Sequence, residues 1–260
     1  MTPGLWLSGA VACCGCVWVT DEAPRTAENS EALAEAVAEL VLETLDAAIR
    51  DRGTARFVLA GGGTPLRLYR LLAERPQALD WSRVEFYWGD ERCVPPTATG
   101  SNYGAARVAL LDPLGVDAGR SRRIRGELAP ERAALEYAEV VGQAIADGGW
   151  DLVLLGLGSD GHTASLFPPR RPELETGAWV VAASSPSPPQ QRVSLTLRAL
   201  NRARRIFFLA AGEAKAPAVA RVRVGDPELH ASAVAPRDGA VTWCLDRAAA
   251  GHLPPAVQSG

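Results

Sequence analysis

Lysine is almost absent from this chain of 260 residues: Lys215 is the only lysine among 27 basic side chains, and all the others are arginine. The net charge is −3 and no long basic run occurs, which argues against a nucleic-acid-binding protein. An anionic ligand would therefore have to be bound by a local cluster of positive charge. Because arginine is used everywhere else, the single lysine favours a functional role over the alternative of an exposed helix lysine.

The cysteines do not form the pattern of a disulfide framework, since there are five of them, an odd number, scattered over the chain. Cys13, Cys14 and Cys16 lie close together, but no nearby Cys or His completes a four-ligand zinc site. The sequence also lacks a nucleophile elbow and a helical metal-ligand motif. We therefore expect no metal, no cofactor and no covalent intermediate.

The first 20 residues lack charged side chains altogether and are fairly apolar. A secretory signal needs a positive amino-terminal region, and one proline and three glycines interrupt any membrane-spanning helix here. We expect residues 1–25 to be a poorly ordered extension or to contain a first strand near Val17–Val19. We also expect a cytoplasmic protein with no membrane partner, with one α/β domain over residues 26–250 and a frayed tail over residues 251–260.

The stretch Trp150–Pro168 is the most informative part of the chain. Its apolar run Leu152–Leu155 is typical of a buried parallel strand, and three glycines follow where the backbone turns tightly. Asp160 and His162 lie inside this turn, and Thr163–Leu166 reads as the first turn of a helix. Such a unit places polar side chains at the carboxyl edge of a sheet, where open α/β folds bind ligands. The alternative is an ordinary turn with a capping aspartate and a surface histidine.

A second strand, Phe57–Ala60, is followed at once by Gly61, Gly62, Gly63 and Thr64 and then by a helix. The free backbone N–H groups and the helix dipole suit an anion such as a phosphate, although a plain turn is the alternative.

The strand Val84–Trp88 runs directly into Asp90, Glu91 and Arg92. Three charged residues at the end of a strand form a solvated loop more often than a site, but in this fold class they would lie on the ligand edge. Arg92 is suited to bind a phosphate with its planar fork of donors.

The second half of the chain repeats this pattern of strands that end in polar turns. Residues 192–197 alternate polar and apolar side chains, so that Arg192, Ser194 and Thr196 share one face of a strand. A buried strand over residues 205–210 is followed by a turn that ends at Lys215, near a helix start.

These separated motifs, in this order, resemble the 6-phosphogluconolactonase family over roughly residues 30–248. The family's glycine turn, its DER strand end with SNY, its LGxGxDGHTASLFP signature, its arginine strand and its GxxK turn lie at residues 61–65, 90–103, 155–168, 192–196 and 212–215. The resemblance implies a Rossmann-like, mostly parallel sheet flanked by helices on both faces. It also implies hydrolysis of a small sugar-phosphate lactone, 6-phospho-D-glucono-1,5-lactone, in the pentose phosphate pathway. We expect a monomer or weak homodimer.

This reaction needs an activated water, a place for the oxyanion and protonation of the leaving ring oxygen. Histidine titrates closest to working pH, so we expect His162 to be the general base on water. Asp160 is expected to orient His162, to bond the sugar or to cap the turn.

The dianionic phosphate is expected among Arg92, Arg192 and Lys215. Asp90 is expected to contact sugar hydroxyls or to hold Arg92. Backbone N–H groups over residues 61–64, or from Gly156 to Gly158, are expected to bind the oxyanion.

The chain departs from the family pattern at two positions, and the sequence leaves two alternative functions to consider. Glycine occupies the usual hydroxyl position at residue 63. His230 stands where the family often has Pro-Ala and is expected to be a solvated loop residue, with a place at the border of the pocket as the alternative. The related glucosamine-6-phosphate deaminases have DGHIAFNEP, with a glutamate for ring opening where this chain has Phe167. A phenylalanine does not transfer protons, which favours the lactonase. The other alternative, a non-catalytic sugar-phosphate-binding regulator, would not need Asp160 and His162.

Overall fold

A seven-stranded parallel sheet forms the centre of the computed structural model, which describes residues 24–170 and 177–254. In spatial order its strands are β1 (Arg25–Ala27), β10 (Ala240–Asp246), β9 (Ala203–Ala210), β6 (Trp150–Gly156), β2 (Ala55–Leu59), β3 (Val84–Trp88) and β5 (Ser121–Arg122). Every neighbouring pair is parallel, so all the strands end at the same edge. The predicted strand near Val17–Val19 lies outside the described residues, as do Cys13, Cys14 and Cys16.

A second, antiparallel sheet of three strands lies in the order β4 (Asp90–Arg92), β8 (Gln191–Leu195) and β7 (Val180–Ser184). The charged run Asp90–Arg92 is therefore a strand rather than the solvated loop expected of most such runs. The difference has a physical reason, since its backbone pairs with β8 and places Arg92 directly opposite Arg192.

Helices flank the central sheet, as predicted. They are α1 (Ser30–Arg52), α2 (Gly63–Ala73), α3 (Asn102–Ala106), α4 (Pro130–Ala146), α5 (Leu197–Leu200) and α6 (Ala216–Arg223). The longest one, α1, begins where the Asn29 side chain accepts hydrogen bonds from two backbone N–H groups, and it ends at Gly53 in the left-handed conformation. Its apolar spacing buries Leu33, Val37 and Leu45 in the core. In the described part of the chain, no helix is both long and apolar enough to cross a bilayer.

The strand β6 lies in the middle of the sheet because nearly all of its residues are apolar. Leu152–Leu155 are at most 1% exposed, with β9 on one side and β2 on the other. Burying each such side chain stabilises the fold by about 1.5–3 kcal/mol. This burial holds rigid the strand from which the glycine-rich turn begins.

Two local predictions are wrong. Residues 163–166 form a tight turn closed by a bridge between Thr163 and Leu166, because Ala164 adopts a positive φ of 47° that no helix continues. His230 is 1% exposed rather than solvated, because its neighbours Leu229 and Ala231 belong to the core.

The predicted frayed tail overlaps the described residues only at positions 251–254, where Leu253 is buried. The remainder of that tail lies outside them.

Candidate active site

The strand ends converge on a cleft of about 430 Å³ at the carboxyl edge of the central sheet. Most of the predicted site residues line it: Gly61, Gly62, Asp90, Arg92, Gly158, Asp160, His162, Arg192 and Lys215. Gly63 and Thr64 do not line this cleft. A larger hollow of about 670 Å³ lies between α2 and α3, but none of the predicted site residues borders it, so the smaller cleft is the candidate site.

Asp160 and His162 form a hydrogen-bonded pair on the turn that follows β6. The Nδ1 atom of His162 lies 2.6 Å from Asp160 Oδ1, and the His162 backbone N–H donates to the same oxygen at 3.1 Å. Burial alone would raise the pKa of the Asp160 carboxyl, but the backbone and ring of His162 outweigh it and lower that pKa. The carboxylate is therefore ionised at neutral pH and fixes the orientation of the imidazole.

Glycine is required at two positions of this turn. A Cβ atom on Gly158 would overlap both Asp160 Oδ1 and His162 Nδ1, so the hydrogen-bonded pair exists only because this side chain is missing. Gly161 has a φ of 90°, and a Cβ there would collide with Leu229. Gly158 thus leaves the space that the pair needs, whereas Gly161 allows the backbone of the turn and the contact with Leu229.

The ring of Phe167 packs against the imidazole of His162, with 4.6 Å between the ring centroids and an angle of 42° between the planes. Phe167 lines the cleft, so an apolar ring occupies the position beside the histidine. No group at this position can donate or accept a proton.

Arg92 and Arg192 place two positive charges side by side on the small sheet. Both line the cleft, and Arg192 is only 7% exposed. Burial lowers the pKa of the Arg192 guanidinium, and the charge of Arg92 lowers it further. Within residues 24–170 and 177–254 neither arginine forms an ion pair, and each has an enclosed Nε atom without an acceptor. Like charges placed opposite each other are unfavourable, so this pair is suited to an anion that neutralises both.

Lys215 reaches the same cleft from the turn between β9 and α6, and it is half-buried. Burial lowers the pKa of its ammonium group, and the carboxylate of Asp160 partly opposes this effect. The turn is held by Asp246, whose carboxylate accepts hydrogen bonds from the backbone N–H of Gly212 at 3.0 Å. The single lysine of the chain therefore lies near the Asp160–His162 pair.

A buried network of polar side chains forms another part of the cleft lining, and sequence reasoning missed two of its members. Asp90 accepts a hydrogen bond from Ser165 Oγ at 2.6 Å and one from Asn102 Nδ2 at 3.1 Å. The backbone N–H of Ser165 donates to Ser194 Oγ at 3.1 Å. The available signal was that Asn102 and Ser165 both lie within recognised motifs. Asp90 thus contacts polar side chains, and the structure does not bring it into an ion pair with Arg92.

Glu91 is a structural residue of the site that no sequence signal assigned. Its carboxylate, 2% exposed, accepts backbone N–H hydrogen bonds from Arg92, Asn102 and Tyr103 and one from the hydroxyl of Ser101. Burial raises its pKa despite these four donors. Glu91 therefore joins β4 to the first turn of α3, which explains why the DER and SNY motifs occur together.

The glycine turn after β2 contributes Gly61 and Gly62 to the lining of the cleft. Among the described residues, the N–H groups of Gly61 and Gly62 have no acceptor, whereas that of Gly158 donates to the carbonyl of His162 at 2.7 Å. Donors available to an anionic oxygen are thus Gly61 and Gly62 just before α2 and, in the turn after β6, Leu157, which also lines the cleft. A Cβ on Gly63 would meet no atom within 4 Å, so the departure from the family's hydroxyl residue at this position leaves open space.

The described residues contain no group of three or more His, Cys, Asp or Glu side chains that would hold a metal ion. Cys93 is a free thiol. The chemistry available in the cleft is therefore that of one imidazole–carboxylate pair, three cations and backbone donors.

Comparison with known proteins finds relatives over most of the chain. The family model described as glucosamine-6-phosphate isomerases/6-phosphogluconolactonase matches residues 28–243. A 6-phosphogluconolactonase of Mycobacterium leprae is 38% identical over 241 residues, which cover 87% of this chain and 96% of that protein. A 6-phosphogluconolactonase of Streptomyces coelicolor is 40% identical over 241 residues, which cover 87% of this chain and 92% of that protein.

A solved structure extends the likeness to three dimensions. The 6-phosphogluconolactonase of Trypanosoma brucei superimposes with a TM-score of 0.78 at 28% identity, over 90% of this chain and 99% of that one. The range matched by the family model, residues 28–243, includes every residue that lines the cleft.

Proposed function

This chain belongs to the glucosamine-6-phosphate isomerase/6-phosphogluconolactonase family, and on that premise we propose that it hydrolyses 6-phospho-D-glucono-1,5-lactone to 6-phosphogluconate in the pentose phosphate pathway. The observation that carries the proposal is the Asp160–His162 pair in a cleft that also holds Arg92, Arg192 and Lys215. A base beside a cluster of cations suits an ester that carries a phosphate.

His162 acts as the general base through its Nε2 atom. Because the ionised carboxylate of Asp160 accepts a hydrogen bond from Nδ1, the proton of the neutral ring resides on Nδ1 and the lone pair on Nε2. Nε2 takes a proton from water while the water oxygen bonds to the lactone carbonyl carbon. The resulting imidazolium then returns that proton to the ring oxygen as the C1–O bond breaks. Such catalysis contributes about 10²–10⁴-fold.

Arg92, Arg192 and Lys215 bind the phosphate of the substrate. Neither arginine forms an ion pair within the described residues, and at Arg192 burial and the charge of Arg92 outweigh the attraction of Asp90 and Glu91 and lower the guanidinium pKa, so a bound dianion would stabilise the pair. The two guanidinium groups are suited to bidentate contacts and the ammonium group to a point charge.

The N–H groups of Gly61 and Gly62, two residues that line the cleft just before α2, bind an anionic oxygen of the substrate. The N–H of Gly158 is already used by the carbonyl of His162, so the turn after β6 would offer the N–H of Leu157 alone against the two of the turn after β2.

Deamination and isomerisation of an amino-sugar phosphate is the second candidate. Opening a sugar ring needs a proton-transferring group, and the residue packed on the imidazole is Phe167. A non-catalytic binding protein is the third candidate, but it gives no reason for the glycine at position 158 that makes room for the Asp160–His162 pair. Both observations favour the hydrolase.

The enzyme works in the cytoplasm as a monomer or weak homodimer, with a single α/β domain over residues 26–250 and no nucleic-acid or membrane partner. The net charge of −3 and the lack of a basic run support the absence of a nucleic-acid partner. Light scattering of the purified chain over a range of concentrations tests the assembly state, and a stable tetramer would contradict it.

The test is an assay with 6-phosphogluconolactone generated in place from glucose 6-phosphate and its dehydrogenase. Formation of 6-phosphogluconate is measured above the spontaneous rate, and a parallel reaction contains glucosamine 6-phosphate. We expect acceleration of lactone hydrolysis and a fall in kcat of about 10²–10⁴-fold in His162→Ala.

His252→Ala is the matched control, because His252 is exposed and does not line the cleft; it should keep wild-type activity. Normal turnover in His162→Ala would refute the base assignment. Ammonia and fructose 6-phosphate in the parallel reaction, without lactone hydrolysis, would establish the deaminase instead.

A further inference from the structure

We infer that Asn102 is a specificity-determining residue that accepts a hydrogen bond from one ring hydroxyl of the substrate through its side-chain oxygen. The inference rests on the proposed function and extends it to the recognition of the sugar. The phosphate and the carbonyl carbon account for the cations and the base, but they leave the hydroxyls at C2, C3 and C4 without assigned partners.

The orientation of the Asn102 amide is fixed by its surroundings. Nδ2 donates to the backbone carbonyl of Asp90 at 3.0 Å and to Asp90 Oδ1 at 3.1 Å. Both partners are acceptors, so the NH₂ group must face them and the amide oxygen must face the opposite way. The backbone N–H of Asn102, bound to Glu91 at 2.7 Å, holds the start of α3 in place beneath it.

The amide oxygen lies over Gly61 on the lining of the cleft. A Cβ on Gly61 would overlap Asn102 Oδ1, so the first glycine of the turn leaves the space that this side chain occupies. Among the described residues no donor reaches Asn102 Oδ1, and the atom is not one of the fully enclosed polar atoms. The residue is 5% exposed and lines the cleft, so this acceptor is directed at the space where the substrate binds.

Asp90 is the competing candidate for the same role, but its two oxygens are already engaged. Oδ1 accepts from Asn102 and Oδ2 accepts from Ser165 at 2.6 Å. Ser165 belongs to the turn that carries His162, whereas Arg92 follows Asp90 on β4. The Asn102 amide thus belongs to a network that joins β4, which carries Arg92, to the turn that carries His162. A substrate whose phosphate is bound by the cations and whose carbonyl carbon lies near His162 would place its sugar ring beside this network.

The expected effect is moderate, because Asn102 Oδ1 is open to the cleft and water can replace a missing hydroxyl. A neutral hydrogen bond of this kind corresponds to about a tenfold change in kcat/KM. An acceptor that is fully enclosed would discriminate far more strongly between a substrate with this hydroxyl and one without it.

The test compares the parent lactone with the 2-deoxy, 3-deoxy and 4-deoxy lactones, prepared by oxidation of the corresponding deoxyglucose 6-phosphates, with the spontaneous rate subtracted for each. We expect the wild-type kcat/KM to fall about tenfold for one of the three. The kcat/KM of Asn102→Ala should be about tenfold below the wild-type value with the parent lactone, and it should not fall further when that same deoxy lactone replaces the parent.

Asn102→Ser is the second variant, because it keeps a polar residue at the helix start while its hydroxyl is too short to lie over Gly61; it should abolish the same discrimination. Asn201→Ala is the matched control, since the Asn201 amide also makes two backbone contacts, to Ala233 and Ala235, but does not line the cleft. Thermal unfolding verifies that each variant is folded.

For each deoxy lactone, the ratio of kcat/KM for the parent lactone to kcat/KM for the deoxy lactone measures discrimination. The inference is overturned if a folded Asn102 variant keeps all three wild-type ratios, or if the wild type hydrolyses all four lactones equally well. Failure of the wild type to accelerate even the parent lactone is a different result, since it removes the proposed function itself.

Discussion

Charged side chains form ion pairs at one edge of the central sheet, whereas the arginines and the lysine that line the cleft at the other edge form none with the described residues. At the amino edge, Asp151 at the start of β6 is contacted by Arg52 and, at 3.5 Å, by Arg204, and it also accepts the backbone N–H of Arg56 at 2.8 Å. Arg56 itself pairs with Glu85 at 3.4 Å. At the carboxyl edge, by contrast, Arg92, Arg192 and Lys215 form no ion pair with any described residue.

The difference shows which charges serve the fold and which are left for a ligand. A buried charge is costly unless it is paired, so an unpaired cluster persists only where the rest of the fold outweighs its cost. The arginine pair on the small sheet meets this condition, because the strands β4 and β8 that carry it are fixed by backbone pairing. Removing a charge at the carboxyl edge should therefore weaken substrate binding, whereas removing one at the amino edge should lower the stability of the fold.

Arg192→Met should give the largest effect of these changes, and it should fall on binding. Loss of a charged hydrogen-bonding group costs about 1.5–3 kcal/mol, so KM for the lactone should rise roughly 10- to 100-fold with a smaller change in kcat. The free energy of unfolding without ligand should stay the same or rise, because the variant removes a buried cation that Arg92 repels. Initial-rate kinetics and urea unfolding measure both quantities.

Arg204→Met is the matched control at the amino edge. Arg204 is half-exposed, so its loss should lower the unfolding free energy by less than about 1 kcal/mol and leave KM unchanged. The comparison of edges fails if Arg192→Met destabilises the free protein more than Arg204→Met does.

Much of this architecture could be predicted from the sequence, because local signals and the fold agree over most of the chain. The apolar run Leu152–Leu155 indicated a buried parallel strand, and β6 is that strand, because the side chains that form the pattern are the ones that the sheet buries. The resemblance to a family then directed attention to the strand ends that meet at the cleft.

What the sequence could not indicate depends on contacts between distant segments. Asp90–Arg92 becomes a strand only because β8, about a hundred residues later, pairs with it. The turn at Ala164 is not helical because Ser165 bonds to Asp90 and Ser194, and no local pattern reports these bonds. The proposed role of Asn102 likewise depends on Gly61, which lies in the turn after β2.

Asp151→Asn should give the next largest effect, and it should fall on stability alone. The carboxylate is 5% exposed, and the amide keeps its shape while removing the charge that faces Arg52 and Arg204. Because both arginines are partly solvated, the loss should be about 1–2 kcal/mol rather than the larger value of a fully buried pair. KM and kcat should remain at wild-type values, and Asp46→Asn, in an exposed pair with Arg50, should cost less than about 0.5 kcal/mol. Reduced activity in a fully stable Asp151→Asn protein would contradict this division of roles.

Glu127→Gln should give the smallest effect, because pairing without deep burial contributes little. Arg123 binds both oxygens of Glu127 at 2.8 Å and lowers the pKa of this carboxyl from 4.5 to about 2. A carboxyl whose pKa is depressed in the folded state stabilises the protein above its unfolded pKa, and this contribution is lost as the pH falls through the folded value. Since both side chains are partly solvated, wild type should exceed Glu127→Gln by less than about 1 kcal/mol at pH 7. Urea unfolding should show this difference shrinking as the pH falls from about 5 towards 2; a difference that is constant over that range would mean that packing, not charge, makes residue 127 stabilising.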